Sequence, residues 1–178
     1  MTARTFLVAL LLGALCAAPA AATLAEGTSA PLFTAPATLG TEVFTFDLAA
    51  ALRKGPVVLY FYPAAFTEGC TQEAHDFAEN IERYKKLGAT VIGISGDDLE
   101  KLKRFATSEC RSKFPVAADK DLKIAKSYDA TLAFQGDLYA NRVSYVIARD
   151  GTIAYAYSAL DPDRHVANTL EALRKLKR

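Results

Sequence analysis

Charge of one sign is what this sequence most plainly lacks. Its 21 lysines and arginines stand against 20 aspartates and glutamates, so nothing in the composition calls for a nucleic-acid partner. Cysteine is scarce as well. There are three, at positions 16, 70 and 110, and no two form a CxxC, which removes the usual dithiol of a thiol-disulfide oxidoreductase acting on proteins. Only two histidines are present, and no His and Cys pair stands at zinc-ligand spacing, so a metal centre has no support. Internal repeats and low-complexity tracts are missing too. What remains is a chain of 178 residues, long enough to bury a core as one domain without being stapled.

The first segment reads differently from the rest. MTAR carries one basic residue, FLVALLLGALCAA is apolar, and APAAA ends in small side chains. Together they read as a secretory signal peptide over residues 1–22, cleaved after Ala22 or, nearly as well, after Ala20. The apolar run is short for a bilayer span, and Leu15 stands where a lipoprotein signal places a small residue before Cys16. No stable membrane association is therefore expected. Removal of the segment leaves 156 residues (178 − 22) as a single domain at 23–178 and costs only one charged residue, Arg4. It also leaves just Cys70 and Cys110 in a compartment, expected to be the periplasm, where disulfides persist.

Hydrophobic periodicity orders that domain. Residues 23–46, rich in Thr, Ala, Pro and Gly, read as an extended arm with one or two short strands, and 47–54 as a short helix stopped by Gly55 and Pro56. A near-continuous apolar run at 57–62 fits a strand covered on both faces, ended by Pro63. From 68 to 87, Cys70, Ala74, Phe77, Ile81 and Tyr84 recur at helical steps. Residues 89–95 form a second buried strand, and Leu99, Leu102 and Ala106 mark a helix running toward Cys110. RVSYVIARDGTIAYAY alternates on either side of Asp150-Gly151, a hairpin signal, and Asp161 and Pro162 are expected to cap a last helix. A βαβ half followed by a hairpin and a helix is the α/β layout of a thioredoxin-like fold.

The stretch FTEGCTQEAH, residues 66–75, carries the chemistry. A cysteine in the first turn of a helix meets unpaired backbone N–H groups and the positive end of the helix dipole, and both favour thiolate over thiol. Thr67 is a candidate N-cap whose hydroxyl is alternatively free to face the sulfur or a small oxygen ligand. The competing reading is that Cys70, on an apolar stripe, is a small inert core residue.

Pro63-Ala64-Ala65-Phe66-Thr67-Glu68-Gly69-Cys70 matches the P-x-x-x-T-x-x-C signature of peroxiredoxins. YFYP-x-x-F-T-x-G-C followed by T-x-E-A resembles the branch called peroxiredoxin Q or bacterioferritin comigratory protein. The likeness runs from about Phe33 to the final helix. It implies a thiol peroxidase in which Cys70 is the peroxidatic nucleophile, Thr67 and Arg142 activate it, and Pro63 shields and shapes the pocket. Such an enzyme lines up a thiolate with the O–O bond of hydrogen peroxide or a small organic hydroperoxide and stabilises charge on the departing oxygen. A guanidinium and a backbone N–H suit that task. No cofactor is implied, and the reductant is an external dithiol protein of the thioredoxin kind. A monomer or weak dimer is expected.

Two residues depart from that branch. Glu68 stands where the family often has proline, and His75 where many members carry the resolving cysteine. Other members place a resolver in the region of the following helix, so the resemblance makes Cys110 the candidate for a Cys70–Cys110 disulfide, with local unwinding to bring the Cα atoms within about 7 Å. The alternative is that Cys110 continues the buried stripe of Leu102 and Ala106. His75 and His165 are both expected on exposed polar surface. Two rivals to a peroxidase remain, a thioredoxin-fold thiol-disulfide oxidoreductase and a non-catalytic redox-responsive binding module, and a functional Arg142 is what distinguishes the peroxidase from the second.

Overall fold

The structure is a computed structural model that describes residues 23–177. The signal segment read at 1–22, with Cys16, lies outside the described residues. β1 (Thr34–Leu39) and β2 (Glu42–Asp47) pair antiparallel. Asp47 then caps α1 (Leu48–Lys54), its carboxylate accepting from Ala50 N at 3.1 Å. β3 (Val57–Phe61) follows, and α2 (Glu68–Lys86) carries the chain over to β4 (Thr90–Ser95), which lies parallel to β3. The next crossover, α3 (Leu99–Ser108), leads to the short β5 (Val116–Ala118), parallel to β4. Then come α4 (Lys123–Ser127), a two-stranded ribbon of β6 (Thr131–Phe134) and β7 (Asp137–Ala140), the hairpin of β8 (Val143–Ile147) and β9 (Ile153–Ser158), and α5 (His165–Leu176).

Seven strands make the main sheet in the order β2-β1-β5-β4-β3-β8-β9. β3 sits near its middle because every side chain in VVLYF is apolar and buried; burying each such side chain contributes about 1.5 to 3 kcal/mol. Strand alternation divides the core. Val58 and Tyr60 face a layer built with Phe77 and Tyr84 of α2, Phe105 of α3 and Leu170 of α5. Val57, Leu59 and Phe61 face the other layer, with Leu48 of α1 and Ala125 of α4. This is the mixed sheet flanked by helices of the thioredoxin-like class.

The smaller elements escape sequence reading for physical reasons. β5 has three residues and α4 five, too few for any period to show. The ribbon turns at Gln135 and Gly136, both in the left-handed region (φ 51° and 91°). The last helix also differs from expectation. Asp161 and Pro162 do not cap it: Asp161 Oδ1 accepts from Asp163 N at 3.0 Å within a turn, and the helix starts at His165 after Arg164, with no side-chain cap.

Candidate active site

The loop that delivers the chain from β3 into α2 is held at both ends. Tyr62 N donates to Ile94 O at 3.1 Å, and Ala65 N donates to Asp97 Oδ2 at 2.7 Å. Asp97, just beyond β4, is itself fixed by Ser95 Oγ at 2.9 Å and by Lys101 Nζ at 2.6 Å. Between these anchors Phe66 adopts φ 68°, a region that disfavours side chains with a Cβ, and its ring stands edge-on to Phe105 of α3 with centroids 5.3 Å apart. Pro63 is half-buried and lines a crevice of about 170 Å³ with Ala64, Asp97, Leu138 and Tyr139.

Thr67 occupies the N-cap position of α2 in extended conformation, but its side chain caps nothing in the helix. Its hydroxyl is exposed and donates to Ala64 O at 3.0 Å. The expected side-chain cap is thereby corrected: the hydroxyl closes a local turn instead, which leaves the first amides of the helix, those of Glu68, Gly69 and Cys70, without intrahelical partners. Glu68 is exposed at the same end.

Cys70 is 1% exposed, and Arg142 Nη2 donates to its Sγ at 3.3 Å. Arg142 precedes β8 and is almost fully buried. Three further contacts fix its side chain and backbone: Nε donates to Leu160 O at 2.8 Å, Nη1 to Glu73 Oε2, and its amide to Asn141 Oδ1 at 2.8 Å. Gly69 leaves room for that approach, since a Cβ there would stand 3.0 Å from Arg142 Nη2 and press the guanidinium aside by a few tenths of an ångström. A guanidinium held so, on a sulfur at a helix N-terminus, stabilises negative charge on that sulfur.

Glu73 was legible only as the third letter of T-x-E-A, without a role. Spacing alone was a usable signal, because a residue three after Cys70 lies on the same helix face. It is wholly buried, and so is His165, contrary to the exposed histidine expected from sequence. His165 sits in the first turn of α5, where the helix packs on the sheet. Its Nδ1 pairs with Ser144 Oγ at 2.8 Å, its Nε2 with Ala159 O at 3.0 Å, and its ring meets Tyr157 edge-on. A single polar position in a buried strand, Ser144, gave no sequence warning of this cluster.

Cys110 lies just past α3, completely buried in the same core layer as Cys70, and both thiols are free. Burial, with a smaller contribution from the Glu109 carboxylate, pushes its thiol well above the ordinary range. His75 is half-buried, its Nε2 2.7 Å from Glu109 Oε2, so it ties α2 to the residue before Cys110. Among the described residues no group of three or more His, Cys, Asp and Glu side chains is arranged to hold a metal, and no helix is long and apolar enough to cross a membrane.

A thioredoxin-like sheet presenting one buried cysteine, arginine-contacted in the first turn of a helix, defines a thiol-centred protein of that fold class. A model of the AhpC/TSA family matches residues 27–156, and the chain belongs to that family. It is 41% identical over 122 residues to peroxiredoxin Q, chloroplastic, of Triticum aestivum, covering 68% of this chain and 55% of the relative. Peroxiredoxin Q, chloroplastic, of Oryza sativa subsp. japonica is 35% identical over 154 residues, 86% of this chain and 68% of the relative. The chain thus spans about half to two thirds of these relatives' length. Among solved structures, the peroxidoxin BcpB of Mycobacterium tuberculosis superposes with a TM-score of 0.78 at 30% identity, covering 86% of this chain and 98% of that one. Xanthomonas campestris peroxiredoxin Q superposes with a TM-score of 0.71 at 25% identity, covering 80% and 91%.

Proposed function

We propose that the protein is a thiol-dependent peroxidase that reduces hydrogen peroxide and small organic hydroperoxides. The observation that carries this reading is the 3.3 Å contact from Arg142 Nη2 to Cys70 Sγ in a buried helix N-terminus. The Cys70 thiolate attacks one peroxide oxygen; the S–O bond forms as the O–O bond breaks, and the departing alkoxide or hydroxide takes a proton to leave as alcohol or water. Arg142 and the free amide of Cys70 stabilise the charge that moves between the oxygens. The Thr67 hydroxyl, exposed in the turn before α2 with its hydrogen on Ala64 O, accepts from the peroxide, and Pro63 shields the sulfur from bulk water.

In the second step the Cys110 thiolate attacks the Cys70 sulfenic acid, the S–S bond forms and water leaves; an external thioredoxin-like dithiol then reduces the disulfide and is itself oxidised. Both cysteines lie in one core layer, and Phe66 of the loop before α2, at φ 68°, packs on Phe105 of that layer, which supports an opening of that loop and the first turn of α2 as the route between the sulfurs. The signal-like segment at 1–22 supports export to the periplasm, and the enzyme acts as a monomer or weak dimer. The chloroplastic relatives also bear an organellar address. The test is peroxide consumption with a generic dithiol reductant by wild type and Cys70→Ser. Turnover by the first and none by the second is expected; equal turnover by both sinks the reading.

A further inference from the structure

The turn that carries Cys110 has a backbone its own residues do not favour. After α3 ends at Ser108, the amides of Glu109 and Cys110 both donate to Phe105 O, at 2.9 and 3.1 Å, and Lys113 N closes a tight turn on Cys110 O at 3.0 Å. Its two central residues, Arg111 and Ser112, lie in the left-handed region with φ 53° and 52°. A turn of that hand suits glycine and asparagine, and side chains with a Cβ are disfavoured there. Ser112 is also wedged against the β1–β2 turn, where a Cβ on Gly40 would stand 2.6 Å from Ser112 Oγ. Local conformation therefore biases this turn toward opening.

What closes it is a row of polar contacts on α2, the helix whose first turn carries Cys70. His75 Nε2 stands 2.7 Å from Glu109 Oε2, Lys113 Nζ donates to Ala78 O at 3.2 Å, and Arg111 Nη2 reaches Glu79 Oε1 at 3.5 Å. Ala78 and Glu79 follow His75 by three and four residues, so all three share one face of the helix. The two side-chain pairs are unequal. Arg111 and Glu79 are far apart for such a pair and 44% and 60% exposed, which leaves the contact little strength. His75 and Glu109 are close and better shielded, 34% and 19% exposed, and a carboxylate only accepts, so Nε2 carries the hydrogen between them. After burial, Glu109 is also what pushes the Cys110 thiol up. The closed turn thus hides that thiol and opposes its ionisation together.

We propose that His75 is a positioning residue for the disulfide step: its hydrogen bond to Glu109 latches the strained Cys110 turn against α2, and release of that latch sets how long the Cys70 sulfenic acid persists. The inference rests on the reading of Cys110 as the second thiol. His75 lies beyond the first turn of α2, so it keeps its place when that turn unwinds. The latch governs the approach from the Cys110 side, as the Phe66 loop governs it from the Cys70 side. The bond-making is as before: the two sulfurs join and water leaves.

Hydrogen exchange of the reduced protein reads the latch without peroxide. His75→Ala should speed exchange of the Cys110, Ser112 and Lys113 amides by about threefold or more, with the β3 amides as in wild type. His75→Gln, which keeps a donor, should recover part of the protection. Adding Glu109→Gln to His75→Ala should speed exchange no further, since the two side chains act through one bond. After one equivalent of hydrogen peroxide, the Cys70–Cys110 crosslink should form faster in His75→Ala by a similar factor, read by mass. At excess peroxide the share of Cys70 driven to sulfinic acid should fall. Unchanged exchange at Cys110, Ser112 and Lys113, or a rise spread equally over β3, overturns the proposal, as does a loosened turn whose crosslink forms no faster than in wild type. If wild type forms no crosslink at all, the reading of Cys110 as the second thiol has failed and takes the proposal with it.

Discussion

Cys70 and Cys110 share one layer of the core and are about equally hidden from water, yet their surroundings are opposites. Cys70 has a guanidinium on its sulfur and unpaired helix amides at its back. Cys110 has the rings and methyls of the α3 stripe, and its one charged influence, Glu109, is of the sign that opposes a thiolate. Burial by itself makes a thiol inert; what makes one reactive is fixed positive potential reaching the sulfur before water does. The protein places that potential at a single cysteine. Any role for Cys110 therefore needs a change of structure first, while Cys70 already has its guanidinium contact in the folded state.

The widest separation between the two sites should come from serine substitutions. Cys70→Ser is expected to abolish peroxide turnover with the fold retained, since the change in volume is small. Cys110→Ser should keep the first oxidation at wild-type rate and then accumulate Cys70 as sulfenic acid, driven on to sulfinic acid by excess peroxide. In wild type, one equivalent of peroxide should give a product lighter by two hydrogens with the peptides of Cys70 and Cys110 crosslinked. Absence of that crosslink, together with normal turnover by Cys110→Ser, would make Cys110 a core residue and the enzyme one whose sulfenic acid the external thiol reduces directly.

Next in size is the loss of the potential itself. Arg142→Ala should slow oxidation of Cys70 by roughly two orders of magnitude. Arg142→Lys should recover only part, because an ammonium cannot reach Cys70, Glu73 and the Leu160 carbonyl from one planar fork. Stopped-flow oxidation at several peroxide concentrations measures both. Neither variant should alter the alkylation rate of Cys110 in urea; a change there would mean that Arg142 acts on the fold as a whole.

How much of this contrast the sequence showed depends on whether a feature repeats or is met once. The strand at 57–62, the helix carrying Cys70 and the final hairpin were legible because apolar residues recur with the period of each element. Cys70 and Arg142 were singled out through the family resemblance, and their 3.3 Å contact brings the two side chains together; Pro63 lies on the loop before α2, lining a crevice with Ala64 and Asp97. The Thr67 hydroxyl went elsewhere than the cap rule predicts because Ala64 O lies within its own turn, at 3.0 Å. His165 misled for a different reason. One polar residue at the start of an amphipathic helix reads as surface, and only the packing of α5 on β8 and β9 shows that it is enclosed. Asp97 belongs with these, a carboxylate at a strand end whose partner, the Ala65 amide, is 32 residues away in sequence.

Asp97 offers a milder way to move the two cysteines toward each other. It accepts from Ala65 N and holds the strained Phe66 turn closed; a hydrogen bond to a charged group contributes about 1.5 to 3 kcal/mol. Asp97→Ala should therefore raise hydrogen exchange at 64–70 by about tenfold or more and speed disulfide formation after oxidation, with the oxidation step slowed less than by Arg142→Ala. If exchange rises but disulfide formation does not, the opening of this loop is not the route to Cys110.

The smallest effect is on stability, and it separates the side of the core that holds Glu73 and His165 from the Cys110 side. Glu73 rises from 4.5 to about 8 in the folded protein, so its contribution is fully present below pH 4.5 and is lost as pH climbs through 8. His165 falls from 6.5 to about 4, so its contribution is present above 6.5 and is lost as pH drops through 4. Between 4.5 and 6.5 the folded state holds one proton more at Glu73 and one fewer at His165, and the two slopes cancel. Between 6.5 and 8 Glu73 alone of these two acts, and its contribution should decline by about 1.4 kcal/mol per pH unit, the slope for one proton. Urea unfolding of reduced protein across pH 4.5 to 8 measures this. Glu73→Gln should flatten the decline above 6.5 and uncover a rise with pH below it, from His165 alone. Cys110→Ser, which touches neither group, should leave the shape of the curve as in wild type, and a curve unchanged by Glu73→Gln would show that the carboxylate is already ionised in the fold.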